Sequence, residues 1–213
     1  MALFIAICSP LLGALRMIST WTHSLILSQP FRNSQLLGQD IDVANESAIS
    51  VRGLTKTYTS KANGSKVAVA GIDLEVAKGE IFAILGPNGA GKTTTVEVLE
   101  GYRNRDGGEV KVLGKDPAKL GNDSWAWRNR IGIVLQSTND SQDLSVSETV
   151  SHFANYYSNP RDPDSVIRDV GLDEKKNARI QSLSGGQRRR LDVALGIIGN
   201  PEILFLDEQT TGL

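Results

Sequence analysis

The sequence predicts an α/β fold with a parallel central sheet, on three observations. Ile81-Phe82-Ala83-Ile84-Leu85 is an unbroken apolar run that leads at once into glycines and a helix-forming stretch. A second apolar run, Ile203 to Leu206, ends in two acids. Between them, short apolar strands alternate with helical stretches, as in a parallel sheet crossed over by helices.

The chain's 213 residues suit one large domain, or one domain with a tail. Its 23 basic and 24 acidic residues nearly cancel, giving no overall electrostatic case for nucleic acid or an anionic membrane surface. The single cysteine, Cys8, excludes an internal disulfide framework and cannot hold zinc by itself.

Residues 2–15 (ALFIAICSPLLGAL) have the length of a signal-sequence core and are too short to span a bilayer. No lysine or arginine precedes them, and Pro10 would interrupt a helix. Residues 1–48 are therefore expected to be a poorly ordered or non-native extension. Order begins near Ile49. ISVRGLTKTY and KVAVAGIDLEV alternate as half-buried strands do, with Ala-Asn-Gly-Ser as turn material between them. IFAIL reads as a fully buried central strand. TTTVEVLEGY reads as a helix, EVKVLG and IGIVLQ as short strands, and SVSETVSHFANYYS as a helix. Shorter helices are expected around SVIRDVGL and DEKKNARI, and a longer one after Gly185. ILFLDE closes the series as a buried strand, set off by Asn200-Pro201.

The first chemical motif is GPNGAGKT: Gly86, Pro87, Asn88, Gly89, Ala90, Gly91, Lys92 and Thr93. It follows a buried strand and opens a helix, the context a phosphate-binding loop requires. Glycines at 86, 89 and 91 let the backbone curl so that successive N–H groups point inward at an anion. The helix that follows adds its positive end. Lys92 supplies charge for the β- and γ-phosphates, and the Thr93 hydroxyl can ligate magnesium. A glycine-rich turn with an incidental lysine would not come with both strand and helix in place.

Such a loop identifies only the P-loop superfamily. In ILFLDE, four apolar residues carry Asp207 to the end of a buried strand, where a carboxylate can hold magnesium, and Glu208 can polarise an attacking water.

LSGGQ, residues 183–187, decides the family: the sequence resembles ABC ATPases, whose signature is this pentapeptide. Ser184 and the Gly185–Gly186 backbone offer donors at a helix start, which makes a second anion site. Ser184 is also a preferred helix cap, and both roles are compatible. The resemblance covers residues 49–213. It implies a P-loop NTPase cassette with an N-terminal antiparallel β subdomain and a helical signature subdomain at about 137–199. It implies ATP and Mg²⁺ as ligands, with Tyr58 stacking on adenine and Thr94 beside the loop. Gln136, Thr93 and Asp207 would serve the metal, and Lys92 and Glu208 catalysis. Ser184, Gly185, Gly186 and Gln187 would meet the γ-phosphate of ATP held by a second cassette. A multi-span permease subunit at the inner face of the cell membrane is the other implied partner, touched by the segment from Gln136 to about Tyr157. No nucleic acid is expected. VEVLEGYR, GGEVKVLG and IGIVLQ look most like cassettes of drug and antibiotic exporters. Trp125 and Trp127 are read as packing residues.

The sequence also departs from the family. Gln209 stands where a proline is usual, and His23 and His152 are misplaced for the family's γ-phosphate histidine. The family continues beyond Leu213 with an aspartate, a further strand and that histidine, so a truncated, inactive cassette is expected. The further strand lies between the phosphate-loop strand and ILFLDE, so IFAIL and ILFLDE are expected to face a gap or a collapsed contact. Rival readings are a translation or chromosome-maintenance ABC ATPase, a catalytically dead nucleotide module and a P-loop kinase. A chromosome-maintenance protein would carry a long coiled-coil insertion, and a kinase would lack LSGGQ.

Overall fold

A computed structural model of the chain describes residues 2–7, 47–60, 64–134 and 143–207. Strands β2 (Ser47–Ser60), β3 (Gly64–Ala77) and β5 (Gly107–Val112) form an antiparallel sheet in the order β3-β2-β5. Alternation places Ile49, Val51 and Leu54 of β2 inward with Val110 and Val112 of β5, while Val67 and Ile72 of β3 stay exposed. Between Val51 and Leu54 the register slips at Gly53, whose φ of 59° lies in the left-handed region.

The second sheet carries the strands of the central layer. Its order is β4-β1-β7-β6, built from Ile81–Leu85 (β4), Ala2–Ile7 (β1), Ile203–Asp207 (β7) and Ile131–Val134 (β6). β6 and β7 run parallel, and β1 is antiparallel to both β4 and β7. Two expectations are corrected here. The sheet is mixed, not wholly parallel, and the gap foreseen between IFAIL and ILFLDE is filled by β1. An unpaired strand edge leaves backbone groups at a cost of about 1–3 kcal/mol each when buried. ALFIAI, rich in residues that suit extended backbone, satisfies both edges. Strand direction leaves no mark on an apolar run of this length, so the sequence could not announce an antiparallel insertion. The first residues thus belong to the sheet, while 8–46 lie outside the described residues.

The two apolar runs differ in environment. In β7, Ile203 and Phe205 face one core while Leu204 and Leu206 face the other, so both sides of the strand are covered. β4 was expected to be equally buried. It is an edge strand instead, with Ile81 48% and Leu85 66% exposed.

The helices are α1 (Lys92–Leu99), α2 (Ser124–Arg128), α3 (Val146–Ala154), α4 (Pro163–Asp169) and α5 (Gly185–Ile197). α1 packs on the core below the antiparallel sheet, whereas α3, α4 and α5 enclose the second core. α5 approaches β6 closely because both carry glycine at the crossing. A Cβ on Gly132 would lie 2.1 Å from the Gly196 carbonyl oxygen. DEKKNARI, expected as a helix, forms only short 3₁₀ turns at Asp173–Lys175 and Ile180–Ser182. Its carbonyls are used elsewhere: Lys176 and Ala178 accept from Ser147 and Val146, the unsatisfied N–H groups opening α3.

Candidate functional site

The phosphate loop spans residues 86–91 between β4 and α1. Its turn is closed by the Ala90 N–H donating to the Pro87 carbonyl at 3.2 Å, and Gly89 holds φ at 80°. Gly91 precedes α1 with φ at 86°, and no side chain caps the helix. Besides that backbone demand, a Cβ at Gly91 would sit 2.1 Å from the Ala68 carbonyl oxygen on β3. Only glycine fits there.

Lys92, the first residue of α1, is 8% exposed and donates to the Gly86 and Pro87 carbonyls at 2.7 and 2.8 Å. A cation at a helix start opposes the helix dipole, and both of its described partners are neutral. An anion seated on the loop would relieve both conditions. Asn88, Gly89 and Ala90 are exposed, as is Thr93, whose hydroxyl is available to such a ligand. The loop, the uncapped helix start, Lys92 and Thr93 together suit a polyphosphate with its magnesium.

Tyr58 stands beside this cradle. Its hydroxyl lies 3.2 Å from Thr94 Oγ1, so strand β2 is tied to the first turn of α1. The Arg103 guanidinium sits over its ring, 5.2 Å from the centroid, and Lys56 lies at 5.8 Å. Asp106 anchors that stretch of β2, accepting from Lys56 Nζ and the Thr57 N–H at 2.7 Å each. Those bonds, the lysine's first, hold its carboxyl below the usual carboxylate range.

The second glycine-bearing helix start carries a side-chain cap. Ser184 Oγ accepts from the Gln187 N–H at 3.3 Å, and Gln187 Oε1 accepts from the Ser184 N–H at 2.9 Å. Ser184, Gly185 and Gly186 are exposed, so the middle of the pentapeptide faces outward while Leu183 is buried in the core. It rests on the core of α3, α4 and α5, the phosphate loop on the other. The structure does not join the two sites within one chain.

Glu208 and Gln136 lie outside the described residues. Asp207 is the last residue of β7 and pairs through its backbone with Leu3. Ala2 pairs with Leu85, so the ends of β4 and β7 stand level, one strand apart, at roughly 10 Å.

An open groove of about 580 Å³ lies near the end of α1 and is lined by Tyr102, Trp125, Arg128, Ile133, Phe153 and Tyr156. Gly101, at φ 72°, ends α1 and turns Tyr102 outward, where it is 78% exposed. Trp125 is 61% exposed, which corrects its reading as packing; Trp127 is 2% exposed, with its indole N–H bonded to the Val112 carbonyl. Tyr156 packs edge-on against Phe153 and His152. Sequence reasoning missed Tyr102, Trp125 and Arg103. The signal for the first two was two aromatics, one after a helix-ending glycine and one two residues from a buried tryptophan. Burial within such a pair is not visible before folding.

A family profile described as ABC transporter matches residues 69–211. The chain is 38% identical over 171 residues to Nod factor export ATP-binding protein I of Ralstonia nicotianae, covering 78% of this chain and 50% of that protein. It is 40% identical over 166 residues to a fluoroquinolones export ATP-binding protein of Mycobacterium tuberculosis, covering 78% and 53%. The chain thus spans about half the length of these relatives. Among solved structures it resembles cbiO1 of Clostridium perfringens, part of the ABC transporter complex cbiONQ. The TM-score is 0.65 at 29% identity, over 79% of this chain and 68% of that one.

Proposed function

This chain belongs to the ABC transporter family, and we propose that it serves there as the ATP-binding and hydrolysing subunit of an exporter. The observation that carries the reading is the cradle itself. Lys92 is buried against its own loop carbonyls at an uncapped helix start, with the loop residues open to solvent. The printed export roles of the Nod factor and fluoroquinolones relatives support the direction of transport.

In this reading the loop N–H groups and the start of α1 hold the triphosphate, and Lys92 leaves the Gly86 and Pro87 carbonyls for the β- and γ-phosphates. Tyr58 receives the adenine. Thr93, Asp207 and Gln136 would hold magnesium, which when bound would neutralise charge at the phosphates. Glu208 orients and deprotonates the attacking water. Ser184, Gly185, Gly186 and Gln187 face the γ-phosphate on a second cassette, so two chains would meet head to tail around two nucleotides.

The aromatic groove beside Tyr102, Trp125 and Tyr156 is the surface we assign to a segment of a multi-span membrane subunit. Tyrosine and tryptophan give large contact area at low entropic cost, and Phe153, Tyr156 and Tyr157 of the groove's lining belong to the 136–157 segment. Among the described residues no helix is long and apolar enough to cross a membrane. In this reading, attachment at the inner membrane face runs through that partner.

The test is a calorimetric titration of Mg·ATP into the protein and into Lys92→Ala. Loss of a charge-assisted contact should weaken binding by about 2–3 kcal/mol, roughly 30- to 150-fold. Equal affinities would overturn the site.

A further inference from the structure

The assigned adenine platform, Tyr58, is gripped from two directions, and one grip belongs to no motif. Its hydroxyl meets Thr94 Oγ1 at 3.2 Å, while the Arg103 guanidinium covers its ring at 5.2 Å. Arg103 is itself held. Its Nε donates to Glu97 Oε2 at 2.5 Å, and its backbone N–H donates to the Glu97 carbonyl at 3.0 Å. Thr94 and Glu97 lie three residues apart on α1, one face of the helix that starts at the phosphate loop. The contacts close a ring: Tyr58, Thr94, the first turns of α1, Glu97, Arg103 and back to Tyr58. The Glu97 bond also raises the Arg103 pKa above its ordinary value.

We propose that Arg103, fixed by Glu97, is a positioning residue that sets the Tyr58 ring at a constant distance and tilt from the phosphate loop for base recognition. A tyrosine held only at its hydroxyl could still turn its ring about χ2, whose axis passes through the oxygen. A guanidinium over the ring face removes that freedom, since the attraction requires the cation above the ring. Lys56 also lies over the ring, farther off at 5.8 Å, and is bonded to Asp106 at 2.7 Å, so Arg103 is the nearer cation. Because Glu97 and the loop share one helix, the base platform and phosphate site are held in one frame. Arg103 acts on the base through Tyr58 and does nothing to the phosphates.

The inference rests on the nucleotide reading above, and its test separates the two. Calorimetry on the full chain compares ATP with inorganic tripolyphosphate, each with magnesium, for the parent, Tyr58→Ala, Arg103→Met, Arg103→Lys and Glu97→Gln. Arg103→Met should weaken ATP about threefold to tenfold while leaving tripolyphosphate within about twofold. Glu97→Gln should move the same way by less, and Arg103→Lys should restore part of the loss. If Tyr58→Ala changes neither ligand, Tyr58 is not the base platform and the proposal falls with that reading. If Tyr58→Ala lowers ATP alone but Arg103→Met does not, the platform stands and Arg103 has no part in it. An equal loss of both ligands in Arg103→Met, accompanied by a fall in melting temperature, would mean general support of the fold and would also overturn the proposal.

Discussion

Two helices of this chain begin at glycines that the sequence marks as anion-binding, and they are built in opposite ways. α1 starts at Gly91 with no side-chain cap, a buried lysine at its first position and a backbone that only glycine can adopt. α5 starts at Ser184 with a complete capping box, and around Gly185 and Gly186 a Cβ would meet nothing within 4 Å. The first start has no cap of its own; the second is capped at the Ser184 and Gln187 N–H groups, and the box leaves the Gly185 and Gly186 N–H groups to face a ligand. A site that must hold nucleotide on its own chain suits the first design. One that waits for a phosphate carried by another chain suits the second, because it stays ordered meanwhile.

Adding one methyl group to each start tests this contrast most severely. Gly91→Ala should destabilise the fold by at least about 2 kcal/mol, from a forced positive φ and a collision with the Ala68 carbonyl. For a chain of this size that is a fall in melting temperature of about 4–8 °C. Gly185→Ala meets open space at the start of a helix and should leave the melting temperature unchanged or slightly higher. Equal destabilisation by the two would erase the distinction between a packed and a free glycine start.

The cap itself gives the next, smaller effect. Ser184→Ala removes the acceptor for the Gln187 N–H and should cost about 1 kcal/mol in denaturant unfolding. No change would mean that the capping box contributes nothing to the order of α5.

Much of this contrast could be read from the sequence. GPNGAGKT after an apolar run located the loop and α1, and the serine before two glycines located the cap of α5. Strand β7 was legible because an unbroken apolar run has two covered faces. IFAIL carries the same signal but stands at an edge, since neighbours are a tertiary property that no five residues encode. For the same reason residues 2–7 read as part of an extension and not as a strand: pairing direction is decided by which edges are free. The Arg103–Tyr58 contact was illegible because it depends on where Gly101 ends α1, which fixes where residue 103 comes to lie.

The last and smallest effect compares two capping boxes among the described residues, whose side-chain partner to the serine is a carboxylate in one and an amide in the other. At α3 the box is Ser145 with Glu148, whose carboxylate accepts from the Ser145 N–H at 2.8 Å and its hydroxyl at 2.7 Å. Those two bonds, the backbone one first, hold the Glu148 pKa below the ordinary glutamate value. At α5 the partner is Gln187, which does not titrate. A carboxyl whose folded pKa is depressed stabilises the fold above its unfolded pKa, and that stabilisation disappears as pH falls through the folded pKa. The α3 start should therefore loosen in acid, at a pH below the usual glutamate range, while the α5 start keeps its protection. Amide chemical shifts of Ser145 and Ser184 followed from pH 7 to about 2.5 would show this as a titration at the first and a flat line at the second, ahead of global unfolding. Glu148→Gln should make the first curve flat as well. A Ser145 amide that does not respond to pH, or one that responds at or above the ordinary glutamate value, would show that the carboxylate does not cap α3.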